Sequence, residues 1–277
     1  MIGLSRAPKH SPQRKVHQQQ EELIVSIRQE RNLGARRIKN ELLRLHNLSL
    51  SLDTIHKVLK RNSVKPLIRQ SKYFGKKRYN RPIPGDRIQI DTCKITKSLY
   101  QYTAIDDCTR SRVLAVYPRR NAANTLLFIE KTVEETPFSI QRIQTDRGLE
   151  FFATEVQQAL MARCIKFRPI RPASPHLNGK VEGSQKTDRD EFYSTIKLPC
   201  PEKLPCPDID DRLQEWQHYY NWNRPHGSLG GKTPMDKFFD LIKQTPYSDE
   251  VAEKYFQKKE RVQDANYSID KKLRGWS

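Results

Sequence analysis

Three acids in this chain stand where metal-assisted phosphodiester chemistry could be built. Asp91 lies mid-strand in Gln89-Ile90-Asp91-Thr92, Asp146 ends a β-prone run in Gln144-Thr145-Asp146-Arg147-Gly148, and Glu182 opens a helical stretch. Phosphoryl transfer asks for little covalent work from a protein and instead for a pair of divalent ions, about 3.5–4 Å apart, that activate one oxygen and stabilise another. Magnesium at such sites is held by carboxylates and keeps several waters. Three carboxylates drawn from separate elements meet that need, with two ions of Mg2+ or Mn2+ expected between them. Spacing alone proves little, because 32 acids among 277 residues produce accidental pairs at any chosen offset. The neighbouring residues must supply the specificity.

The elements that would bring these acids together are legible from residue 85 onward. Runs 87–95, 100–105 and 112–117 are short and β-prone with turn residues between them, which predicts a three-stranded antiparallel meander. Residues 121–135 read as a helix with Leu126, Ile129 and Val133 inward, 140–145 as a fourth strand and 153–163 as a helix. A fifth strand over 165–168, a loop over 172–178 and one long helix over 179–196 complete the series. Strand, strand, strand, helix, strand, helix, strand, helix is the order of an RNase H-like α/β fold. In that order the positions of Asp91, Asp146 and Glu182 converge on one sheet edge. Many nucleases share this superfold, so the order by itself identifies no reaction.

Longer strings narrow the choice. Ile105-Asp106-Asp107-Cys108-Thr109-Arg110, Thr145-Asp146-Arg147-Gly148-Leu149-Glu150-Phe151 and Pro175-His176-Leu177-Asn178-Gly179-Lys180-Val181-Glu182 resemble the integrase-core motifs of bacterial insertion-sequence transposases, whose catalytic core is of the retroviral-integrase (DDE) kind. Asp146 and Glu182 have 35 residues between them, as that family's pattern requires. Tyr220-Asn221-Trp222-Asn223-Arg224-Pro225-His226 and Thr233-Pro234 resemble its closing segment, so the likeness runs over residues 20–240. The resemblance implies an RNase H-like core with Asp91, Asp146 and Glu182 as the metal-binding, catalytic triad. It also implies a DNA transposase that cleaves transposon ends and joins them to target DNA, working as a homo-oligomer on double-stranded DNA. Family likeness puts Asp106, Asp107 and Glu150 outside the triad, in capping or supporting roles. Retroviral integrases carry an N-terminal zinc module of paired His and paired Cys that this sequence lacks, which favours the insertion-sequence branch. Ser5-Arg6-Ala7-Pro8-Lys9 looks like a linker between two helix-turn-helix units of such transposases, so an upstream unit is expected.

The formal charge of +19 is unevenly spread. Residues 1–82 hold 20 Lys and Arg against five acids, a net of +15, which leaves +4 for the rest. Such an excess attracts a polyanion through its summed field. Within it, residues 18–32 read as a helix with Leu23, Ile24 and Ile27 at helical spacing, ended by Gly34. Residues 36–45 place Ile38, Leu42 and Leu45 on one face, and 52–61 place Ile55, Val58 and Leu59 inward, with Ser51 or Asp53 as the cap. Three short helices with a basic outer face describe a helix-turn-helix, with Arg36, Arg37, His56, Lys57, Lys60 and Arg61 expected to contact DNA. Lys76, Lys77 and Arg78 join them from a linker interleaved with aromatics.

The expected organisation is an all-α helix-turn-helix domain over 1–65, a basic linker over 66–84, the catalytic core over 85–242 and a C-terminal tail over 243–277 that is helical up to Val262. On the long helix, Lys186 and Arg189 follow Glu182 at i+4 and i+7, placed either beside DNA phosphates or in an exposed intrahelical ion pair. Trp216, Tyr219, Tyr220 and Trp222 read as packing for a closing helix, and His226 as a hydrogen-bonding residue. No run approaches the roughly 18 apolar residues of a membrane span, and residues 1–9 have no apolar signal core. The five cysteines show no zinc-ligand spacing and fit a reducing cytosol, so a cytoplasmic, nucleoid-associated bacterial protein is expected. The competing reading is a DNA-binding protein that occupies transposon ends without catalysis.

Overall fold

The computed structural model describes residues 16–65, 67, 80–170, 178–196 and 207–261. The chain divides into two compact units, Met1–Lys72 and Tyr73–Ser277. Among the described residues, no helix is long and apolar enough to cross a membrane.

The first unit is a three-helix domain built from α1 (Gln18–Arg31), α2 (Ala35–His46) and α3 (Leu52–Arg61). Ile24, Ile27, Ile38, Leu42, Ile55, Val58 and Leu59 recur at helical spacing and form one buried cluster with Val16 and Leu33. Asn32 and Asn47 end the first two helices in the left-handed region, at φ 50° and 49°. Asn32, not Gly34, therefore stops α1, and Gly34 instead opens α2. Ser51 caps α3 by accepting the Thr54 N–H at 3.1 Å. Leu45 is exposed, contrary to its spacing. The helix ends one residue later, and the returning chain brings Leu48 onto the core, its N–H bound to the Leu42 carbonyl at 2.9 Å.

The second unit is built on a five-stranded sheet in the order β3-β2-β1-β4-β5. Strands β1 (Ile88–Thr96), β2 (Leu99–Asp106) and β3 (Arg112–Tyr117) form the antiparallel meander. Strands β4 (Arg142–Thr145) and β5 (Lys166–Pro169) run parallel to β1 after crossovers through α4 (Ala122–Glu135) and α5 (Thr154–Ala162). That order and those directions are RNase H-like. Alternation along the strands sorts side chains between two faces. Ile88, Ile90, Tyr102, Ala104, Val113 and Ala115 join one core cluster with Phe128, Ile129, Val156 and Leu160. Residues one step out of phase face α6 (Gly179–Asp188) and α7 (Pro207–His218), where Leu114 packs with Phe192, Leu213, Trp216 and Tyr220.

Several expected details differ. On α4 the fully buried apolar pair is Phe128 and Ile129, while Leu126 and Val133 flank it half-buried, because the large Phe128 ring fills the centre of the sheet face. The long helix is α-helical only to Asp188 and continues as a wider turn over Arg189–Tyr193. Residues 243–261, expected as part of a tail, pack on the core: α9 (Ser248–Glu253) buries Val251, and Glu260 makes a two-pronged ion pair with Arg168 of β5 at 2.6 and 2.8 Å. Thr233-Pro234 is a helix start for α8 (Pro234–Leu241), where Thr233 and Asp236 cap each other's backbone N–H groups.

β3 is an edge strand, and exposed edges invite pairing with other chains. Amide side chains of α7 and the turn that follows it cover this one. Asn221 accepts the Arg112 N–H at 3.0 Å and donates to its carbonyl at 2.8 Å, while Gln217 accepts from the Leu114 N–H and Gln214 donates to the Leu114 carbonyl at 3.3 Å.

Asp106 is fully buried and organises the β2–β3 turn. Its carboxyl accepts from the N–H groups of Gly85, Cys108 and Thr109 and from the Thr109 hydroxyl, at 2.6–3.1 Å. Burial pushes its pKa up, to about 6, against the pull of those donors. Gly85 must be glycine here: φ is +73°, and a Cβ would stand 2.1 Å from the Ser139 carbonyl oxygen. Asp106→Asn puts an amide N–H among donors and should cost about 2–3 kcal/mol. A thermal melt of the variant is expected to show a clearly lowered midpoint, and an unchanged one would refute this role.

Candidate active site

Register brings the first two acids together. Parallel pairing of β1 and β4 sets Gln89 opposite Gln144 and Ile90 opposite Thr145, so the next residues, Asp91 and Asp146, lie side by side where β4 ends. Neighbouring strands are about 4.8 Å apart. Glu182 arrives on the first turn of α6, which lies on the face that Gln89 and Asp91 share. Gln89 accepts the Val181 N–H at 3.3 Å, and the Gln185 amide donates to Asp91 Oδ2 at 3.1 Å. Asp91 Oδ1 accepts the Thr92 N–H at 2.9 Å, and Asp146 Oδ1 accepts the Gly148 N–H at 3.0 Å.

Electrostatics disfavour the ionised form of Asp91. Burial raises its pKa to about 7, with the neighbouring charges of Asp146 and, more weakly, Glu182 adding to the effect. Among the described residues none of the three acids has an ion-pair partner. Nor is any group of three or more His, Cys, Asp or Glu side chains among those residues drawn close enough to enclose an ion as it stands. The donor set is nevertheless of the right chemistry for a hard divalent ion: carboxylates only, with Glu182 exposed and, among the described residues, without an ion-pair partner.

Stability should report that uncompensated charge. The folded-state pKa of Asp91 lies above its unfolded value, so ionising it destabilises the fold progressively as pH rises from about 4 through about 7. Asp91→Asn removes the charge and should raise the melting temperature of metal-free protein by several degrees at pH 8, corresponding to roughly 2–4 kcal/mol. The difference should vanish near pH 4. A variant that melts lower than wild type at pH 8 would sink this account.

The other candidate residues sort by what they touch. Asp107 pairs with Arg87 and, at 3.2 Å, with Lys180, so it ties the start of α6 to the sheet. Burial lowers the Lys180 pKa to about 8. Glu150 is buried, 3.4 Å from both the Thr92 hydroxyl and Arg120. Lys186 is half-buried and Arg189 exposed, and the i, i+4 spacing of Glu182 and Lys186 forms no ion pair. Arg36, Arg37, His56, Lys57 and Lys60 are exposed on the helical unit. Arg61 pairs with Glu21 and so links α3 to α1. Lys76, Lys77 and Arg78 lie outside the described residues, as does most of the 172–178 loop.

Sequence reasoning missed Gln89, Gln185 and the buried pair Arg112–Asp188. A faint signal existed for the first: two polar residues at period two, Gln89 and Asp91, alternating with the apolar Ile88 and Ile90.

Two models described as integrase core domain match residues 81–175 and 163–234. The putative integrase ORF3 of Spiroplasma virus SpV1-C74 is 26% identical over 158 residues, covering 51% of this chain and 42% of that protein. The chain thus spans less than half the length of this relative. Among solved structures, the catalytic core domain of BIV integrase is 18% identical, covering 58% of this chain and 97% of its own, at a TM-score of 0.47. The HTLV-2 integrase catalytic core domain in complex with magnesium is 17% identical, covering 57% and 98%, at 0.46.

Proposed function

Because residues 81–234 form an integrase core domain of the retroviral-integrase-like kind, we propose that the protein is a DNA transposase that cleaves phosphodiesters at transposon ends and joins the freed ends to target DNA. The observation that supports this best is the parallel register that sets Asp91 beside Asp146, with Gln185 binding α6, and so Glu182, to the same acid. Asp91, Asp146 and Glu182 would hold two Mg2+ or Mn2+ ions, which when bound activate an attacking oxygen and stabilise a leaving one.

The remaining roles fall to the chain's own side chains. Lys186 and Arg189, on the same helix as Glu182, hold backbone phosphates beside the acids. The exposed Arg36, Arg37, His56, Lys57 and Lys60 bind duplex DNA, with Lys76, Lys77 and Arg78 adding to the basic arm. Cleavage replaces one P–O bond by attack of water and frees a 3′-hydroxyl. Joining replaces another P–O bond by attack of that hydroxyl, so no energy source is needed. A homo-oligomer would pair two ends on the bacterial nucleoid.

A second reading, DNA binding without catalysis, is favoured by the acids' open arrangement. Strand joining decides between them. DNA recovered by affinity selection, incubated with the full chain, should be joined to a plasmid in Mg2+ or Mn2+ and only bound in Ca2+, whose larger and looser coordination suits in-line transfer badly. Binding without joining in all three ions would leave only the second reading.

A further inference from the structure

Asp188 ends the catalytic helix six residues after Glu182 and has no exposed surface. A carboxylate cut off from water must find donors for both oxygens. Its donors come from three different elements. Arg112 of β3 approaches Oδ1 at 2.6 Å, the Trp216 indole N–H of α7 reaches the same oxygen at 2.7 Å, and the Gln101 amide of β2 donates to Oδ2 at 2.7 Å. Each donor is itself fixed. Arg112 also donates to Ser184, one turn earlier on α6, and its guanidinium lies 3.3 Å from the centre of the Tyr220 ring. Gln101 accepts the Tyr193 hydroxyl at 2.7 Å.

The segment after α7 reinforces this hold. Arg224 forms a two-pronged ion pair with Glu191, both contacts at 2.8 Å, in the wide turn that follows Asp188. Asn221 grips the backbone of Arg112, as described for the β3 edge. A helix lying on a sheet can slide and rotate, because apolar contacts tolerate small slips. Directional bonds to a buried charge do not. The rise of about 1.5 Å per residue places Glu182 roughly 9 Å up the same rigid rod, so its setting is inherited from Asp188.

We propose that Asp188 is a positioning residue, which fixes the rotation and axial position of α6 and so delivers Glu182 to Asp91, with Trp216 extending that control to α7. This rests on the triad as read above. The test uses the full chain and two variants. Trp216→Phe keeps an aromatic ring beside Phe192 and Arg112 but deletes the N–H, and Asp188→Asn keeps size but deletes the charge. Mn2+ alone is titrated against each protein, strand joining is timed, and both readings are scaled to the folded fraction from circular dichroism at the assay temperature.

Both variants should weaken Mn2+ binding about tenfold to a hundredfold. They should lower kcat while KM for DNA holds, and excess Mn2+ should restore part of kcat. A purely structural role would lower the melting temperature and leave the scaled Mn2+ affinity and kcat at wild-type values in both variants, which overturns the proposal. If Asp188→Asn fails to fold, Trp216→Phe decides alone. Wild-type Mn2+ binding that is indifferent to Asp91→Asn would instead overturn the triad itself, a distinct failure.

Discussion

Asp91→Asn, Asp146→Asn and Glu182→Gln should each reduce strand joining by about a thousandfold or more, since residues that act as one unit lose the whole step when any one fails. Each substitution keeps the side chain's size and removes the charge that a divalent ion requires. DNA affinity should stay close to the wild-type level, because the proposed DNA contacts are made by cationic side chains that these substitutions leave unchanged. Asp91→Asn is the sharpest of the three. The same change that abolishes joining is expected to stabilise the metal-free fold at pH 8, so the loss could not be ascribed to unfolding. Asp107 and Glu150 make poor controls, being buried and tied into the sheet and the α6 anchor. Glu155→Gln, on the exposed first turn of α5, is a better one and should keep full activity. Joining at the wild-type rate by Glu182→Gln would falsify the triad.

Removing residues 1–72 should lower DNA affinity by about a hundredfold or more at moderate salt, because most of the net positive charge leaves with them. The remaining unit has its own sheet and its own apolar clusters. Within the full chain the prediction becomes residue-specific. Replacing Arg36, Lys57 and Lys60 together by Gln should flatten the log–log dependence of affinity on salt by about 2.7, from roughly 0.9 per lost phosphate contact. Arg61→Gln should behave differently. Its partner is Glu21 on α1, so the variant should melt earlier and change the salt slope little. Anisotropy titrations at several salt concentrations would show either pattern. An unchanged slope in the triple variant would remove α2 and α3 from the DNA interface.

Local pattern made much of this protein legible. The helices of the first unit and the strands of the meander follow from 3.6- and 2-residue periodicities, and α3 and β3 begin and end where those patterns do. Short-range interactions dictate such features, so neighbours in sequence suffice to reveal them. Asp146 and Glu182 could be singled out because their flanking motifs are long. The faces of α2 and α4 were read less well: chain reversal at Asn47 replaced Leu45 by Leu48, and on α4 Phe128 is fully buried with Ile129 while Leu126 and Val133 lie at the margin.

Other features arose only on folding. Lys180, Gln185 and Asp188 on a polar helix look like solvated residues until β1, β2 and β3 are placed beneath them. Asn221 and Arg112 are 109 residues apart, and nothing in either neighbourhood announces that one amide will close the edge of the other's strand. The closing segment's motif was recognisable, but its physical task, gripping Arg112 and Glu191 around the end of α6, was not. Sequence by itself determined which elements form and which acids are available. Tertiary structure decided which acid faces which, because parallel register and buried ion pairs are set by strand order and the exclusion of water, and neither is a property of any local stretch of chain.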